Sequence, residues 1–130
     1  MADPGQLAPS AAEIDALARA ALARLPEPFA AHLEAVVLIV EELAEDTVLD
    51  ELGIDDPFAL TGLYSGRPVG EPAQSGDPPA TIHLYRRAIL DEWAAEGETL
   101  ETLVAHIVVH EVGHHFGLSD EDIHALEAAV

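Results

Sequence analysis

The chain contains no cysteine and no lysine, few aromatics, and no long hydrophobic run. Without cysteine there is neither a disulfide framework nor a thiolate metal site. Any metal must therefore be held by the seven histidines and the carboxylates, a donor set that favours zinc or another divalent ion over an iron–sulfur cluster. The longest apolar stretch, Ala35 to Val40, falls far short of the ~18 residues that span a bilayer. No Lys or Arg precedes an apolar segment at the N-terminus, so no signal peptide is expected and a cytoplasmic location is. Positive charge is scarce: five arginines face 25 carboxylates, for a net charge of -20. Such a surface repels nucleic acid and anionic lipid, so neither nucleic acid nor a membrane is an expected partner. It attracts cationic peptides or basic proteins, although a solvated acidic surface that aids solubility is the simpler account.

What is present is apolar bulk. At 130 residues and 49% hydrophobic, the chain is expected to form one domain with a packed core. Residues 1–10 (MADPGQLAPS), with two prolines and a glycine, read as a flexible arm before a domain spanning 11–130. Ser10 caps a helix from Ala11 to about Leu25, with Glu13 placed for a capping box and Pro26 ending the run. Glu34 to Val40 is β-branched and apolar, as in a strand buried on both faces. Glu41 to Leu52 fits a short helix or a loop. Gly53 to Pro79 is Gly- and Pro-rich and reads mostly as loop, and Thr81 to Tyr85 alternates like a strand. Arg86 to Ala95 reads as a helix broken by Gly97. Thr99 caps a long helix from Leu100 to about His115, whose buried stripe is Leu100, Leu103, Val104, Ile107 and Val108. Gly117 ends it, and Ser119 caps a last helix from Asp120 to Ala128.

The chemistry concentrates in Val108 to Asp120, VVHEVGHHFGLSD. His110 and His114 are four residues apart, so on a helix both imidazoles leave one face and can bind one ion. Glu111 sits about 100° round the helix, beside the ion, where it can take a proton from an activated water. Bare H-E-x-x-H arises in roughly a few per cent of shuffled sequences; the added glycine and carboxylate lower this to on the order of one in several thousand. Asp120 is the candidate third ligand, leaving one tetrahedral position open. An acidic residue in the first turn of a helix is also favoured by the helix dipole alone, and Glu121, Asp122 and His124 are competitors for ligation. His115 points away from the pair and reads as a residue that supports the ligands from behind or simply packs, whereas His106, one turn before His110, reads as a substrate guide or a solvated or core-edge histidine. Tyr64 and Tyr85 are candidate oxyanion donors or ordinary packing aromatics. The strand Thr81 to Tyr85 is a candidate edge for an added substrate strand, or plain sheet packing.

The run His110 to Asp120 resembles the extended HExxHxxGxx(H/D) signature of metzincin-type zinc peptidases. In detail the chain is similar to the small bacterial zincin-like metallopeptidase family, through this run, Gly62-Leu63-Tyr64-Ser65-Gly66-Arg67-Pro68 and Ile82-His83-Leu84-Tyr85. The resemblance covers most of the chain from about residue 34. It implies a compact α+β zincin-like fold, Zn2+ held by His110, His114 and Asp120, and Glu111 as catalytic base. The expected activity is hydrolysis of a peptide or protein substrate. Two features depart from the metzincin pattern: no methionine follows the motif, Met1 being the only one, and ten residues follow Asp120. A non-catalytic zinc-stabilised domain that binds a basic partner is the alternative.

Overall fold

Helix α1, Ala11–Ala23, starts where Ser10 predicts, the serine side chain accepting from the Glu13 backbone N–H at 3.1 Å. A computed structural model describes residues 7–27, 29–67, 76 and 78–128. Most of the N-terminal arm, residues 1–6, and part of the Gly/Pro stretch, residues 68–75 and 77, lie outside the described residues. Where the arm is described it is tied down: the Arg86 side chain donates to the Pro9 carbonyl at 2.7 Å.

After α1 come α2 (Phe29–Leu33), β1 (Val37–Glu41), α3 (Asp46–Leu52), a 3-10 turn at Pro57–Ala59, β2 (Gly62–Ser65) and β3 (Thr81–Tyr85). Helices α4 (Arg86–Glu96), α5 (Leu100–His115) and α6 (Asp120–Ala128) follow. The strands form one mixed sheet in the order β1-β3-β2, with β1 parallel and β2 antiparallel to β3. The fold is α+β.

Two expectations change here. β3 is the central strand, not an edge; pairing on both sides buries Thr81, Ile82, Leu84 and Tyr85. β1 is an edge strand rather than a doubly buried one: Leu38 is buried, while Val37 and Ile39 each remain 39% exposed. Within the glycine-rich stretch, expected to be mostly loop, Gly62–Ser65 pairs with β3 as the other edge strand.

One face of the sheet is covered by α1 and α5, which also pack on each other. Period-two alternation sends Leu38, Ile82 and Leu84 into that core, where they meet Ile14 and Ala18 of α1 and Val104 and Val108 of α5. Fully burying a side chain of this size contributes roughly 1.5–3 kcal/mol, so this face dominates stability. Tyr85 points the other way, into a smaller cluster with Ala44, Leu49 and Ala88. Burial lifts its phenol from the ordinary 10.0 to about 12, with the negative charges of Glu41, Glu45 and Glu111 adding to the effect.

Helix α5 is buried well beyond its predicted stripe, at Val109, Glu111, Val112, Gly113 and His115 too. The sheet, α1 and α6 all pack on it, and a helix apolar over most of its circumference suits such a position. Its end is a Schellman turn. Gly117, at φ 66°, lets its own N–H reach the His114 carbonyl at 3.0 Å and the Leu118 N–H reach the Gly113 carbonyl at 2.9 Å. The chain then reverses into α6, capped by Ser119 accepting from the Asp122 N–H at 3.2 Å. Ile123 of α6 seats directly on Gly113: a Cβ there would lie 2.3 Å from Ile123 Cγ1.

Gly113→Ala should therefore destabilise the protein by roughly 1–3 kcal/mol, read by thermal or denaturant melting, because α6 must be pushed off α5. A second expectation concerns alkali. A folded pKa above the unfolded one favours folding below the unfolded value and is lost as pH rises, so the window is pH 10 to 12. Stability measured across that window should fall in the wild type, and fall less in Tyr85→Phe.

Candidate metal centre

The burial of α5 leaves one strip of it open, and the motif histidines lie there. His110 Nε2 and His114 Nε2 face each other at 3.2 Å, with ring centroids 4.8 Å apart. Two nitrogens each ~2.0–2.1 Å from a tetrahedral ion would stand roughly 3.3 Å apart. The observed separation fits one zinc ion shared by the pair. Both rings reach solvent; the His110 side chain is 44% exposed.

Glu111, by contrast, is buried. Burial raises its carboxyl pKa, while the charge of His114 and a hydrogen bond from the Tyr64 backbone N–H pull the other way. The sheet reaches the site here. β2 approaches so closely that a Cβ on Gly62 would lie 2.9 Å from Ile107 Cγ2 and 3.5 Å from Glu111 Cγ. Close approach at Gly62 lets the strand's backbone bond the carboxylate.

Glu111 and His110 line a cavity of about 250 Å³, with Thr61, His106, Ile107 and Glu127 among its walls. Glu92 and Glu98 add two more carboxylates, and burial followed by repulsion from Glu96 and Glu98 raises the Glu92 pKa. No Arg is among the lining residues, so the cavity attracts positive charge.

Asp120 is the first residue of α6 and is exposed. Among the described residues no group of three His, Asp or Glu is gathered tightly enough to hold a metal. The structure thus brings His110, His114 and Glu111 together and does not bring Asp120 in with them. Of its sequence competitors, Glu121, Asp122 and His124 are also exposed on α6.

His115 is a packing residue, as its angle on the helix predicts. It is buried, its Nδ1 lies 3.0 Å from the Tyr64 hydroxyl, and that hydroxyl donates to the Arg67 carbonyl at 2.7 Å. Burial, then the nearby His32 charge, lower the His115 pKa against an opposing hydrogen bond to the His32 backbone. Tyr64 therefore meets the site through its backbone N–H, with its hydroxyl engaged elsewhere. Tyr85 packs in the second cluster, its ring stacked 6.4 Å from that of His83. His106 lines the cavity. Glu127 lies outside the motif's reach in sequence; the one clue to it is its position seven residues, two helical turns, after Asp120.

No helix among the described residues is long and apolar enough to cross a membrane. A comparison with curated proteins finds none that matches. A family model described as zincin-like metallopeptidase matches residues 33–130, from before β1 through the motif helix to the last residue. The paired imidazoles, the adjoining buried carboxylate and this match lead to one assignment: the chain belongs to the zincin-like metallopeptidase family.

Proposed function

We propose that the protein is a zinc-dependent peptidase, with His110, His114 and Asp120 as metal ligands and Glu111 as general base. The observation that carries this reading is the 3.2 Å separation of the two Nε2 atoms, beside a buried glutamate that lines a cavity together with His110. Asp120 enters as the third ligand on its spacing after the HExxH histidines and Gly117, although its side chain stands exposed at the start of α6. Bound zinc supplies a Lewis acid for the scissile carbonyl and lowers the pKa of its water towards ~7.

The chain's own residues supply the proton steps. Glu111 takes a proton from the attacking water and returns it to the leaving amine, with no covalent intermediate. Burial, which raises its carboxyl pKa, makes the ionised form a stronger proton acceptor. The Tyr64 N–H holds the carboxylate in place as the proton moves. β2 is the edge strand beside α5, and it is there, rather than at β3, that an extended peptide can add to the sheet. Glu92, Glu98 and Glu127 on the cavity wall favour peptides with positive charge near the scissile bond.

The second reading is a non-catalytic zinc-stabilised domain that recruits a basic partner. Its support is that an ion held by His110, His114 and Asp120 would join α5 to α6. Glu111→Gln separates the two. For a peptidase it should retain zinc while turnover of a basic peptide falls by roughly 100–10,000-fold, the range for a lost general base. Undiminished cleavage in that variant would refute the mechanism. Melting with and without chelator completes the comparison: a large loss of stability, with no cleavage by the wild type, would favour the structural role.

A further inference from the structure

We propose that Glu127 is a positioning residue for the metal site, its carboxylate holding the His110 imidazole so that Nε2 faces His114. The inference rests on the reading of His110 and His114 as metal ligands. His110 turns Nε2 towards His114 at 3.2 Å and Nδ1 towards Glu127 Oε1 at 3.7 Å. The second distance is in ion-pair range rather than hydrogen-bond range. The glutamate side chain is only 19% exposed and borders the cavity that His110 and Glu111 share. Its other oxygen lies 3.6 Å from Nδ1 of the exposed His124.

Ring chemistry gives this placement a purpose. An imidazole that gives Nε2 to a metal keeps its proton on Nδ1, and a carboxylate facing Nδ1 fixes both the tautomer and the ring rotation. It also makes the ring a stronger donor to the metal. Helix geometry explains why α6 can do this. Asp120 and Glu127 are two turns apart and share a face, while Ile123 between them seats on Gly113 and fixes the height of α6 over α5. One helix thus carries both the carboxylate proposed for the ion, Asp120, and the one that faces the ring behind it, Glu127.

The test is zinc affinity, measured by chelator competition on the full chain for wild type, Glu127→Ala, Glu127→Gln and, as a control for lost surface charge, Glu96→Gln. Glu127→Ala should weaken zinc by about 10–100-fold, the usual effect of losing a carboxylate behind a ligating histidine. Glu127→Gln keeps the side-chain volume and an acceptor oxygen and should lose less, while Glu96→Gln should bind as wild type does. Cobalt absorption then separates positioning from ligation: the band intensity of the Co2+ form should be kept in Glu127→Gln. Affinity in both Glu127 variants equal to the control would overturn the proposal, as would a cobalt spectrum showing a lost ligand. Should Glu127→Ala fail to fold, Glu127→Gln decides by the same two readouts. Failure of the wild type itself to bind zinc would instead sink the reading of the site.

Discussion

The proposed metal site depends on holding two imidazole nitrogens 3.2 Å apart on one turn of a closely packed helix. Two exposed histidines on an isolated helix would sample many rotamers and hold an ion loosely. Here α5 is packed by the sheet, by α1 and by α6, and Val104, Val108, Val109 and Val112 are fully buried. β-branched side chains have few helical rotamers, so this platform loses little freedom on packing. The Schellman turn at Gly117 then fixes where α6 begins, and Ile123 on Gly113 fixes how close it comes. The glycine inside the motif is a packing requirement.

The same arrangement solves the problem of the buried carboxylate. An isolated ionised glutamate in a core is costly, and Glu111 is tolerated because β2 brings the Tyr64 N–H to it and His114 stands nearby. Gly62 allows the approach. Thus the shortest strand in the sheet ties the hydrophobic core to the site's electrostatics. The surroundings are strongly acidic, with a net charge of -20, and several carboxylates crowd the cavity. A divalent ion on the histidine pair would relieve part of that repulsion, and so would a cationic substrate.

The local half of this picture was legible in the sequence, and the non-local half was not. Caps at Ser10, Thr99 and Ser119 and the left-handed Gly117 are decided by neighbours in the chain, and they sit where the residues say. The four-residue histidine spacing likewise converts directly into a shared helix face. Strand neighbours are set by pairing across the chain. A central β3 and an edge β1 therefore could not be read from Thr81–Tyr85 or Val37–Glu41 alone. β2 was hidden because Gly62 and Ser65 are turn formers by composition, and only their partners in β3 make them a strand. Glu127 was missed for the same reason: its proximity to His110 is created by the packing of α6 on α5. The placement of Asp120 shows the converse, since its spacing after the glycine marks it for the ion while its side chain stands exposed at the helix start.

The most direct measurement is X-ray absorption at the zinc edge on protein loaded with one equivalent of the metal. The account predicts a four-coordinate ion with two imidazole nitrogens and carboxylate oxygen at roughly 2.0–2.1 Å, the remaining position taken by water. A first shell of oxygens without imidazole scattering would contradict it.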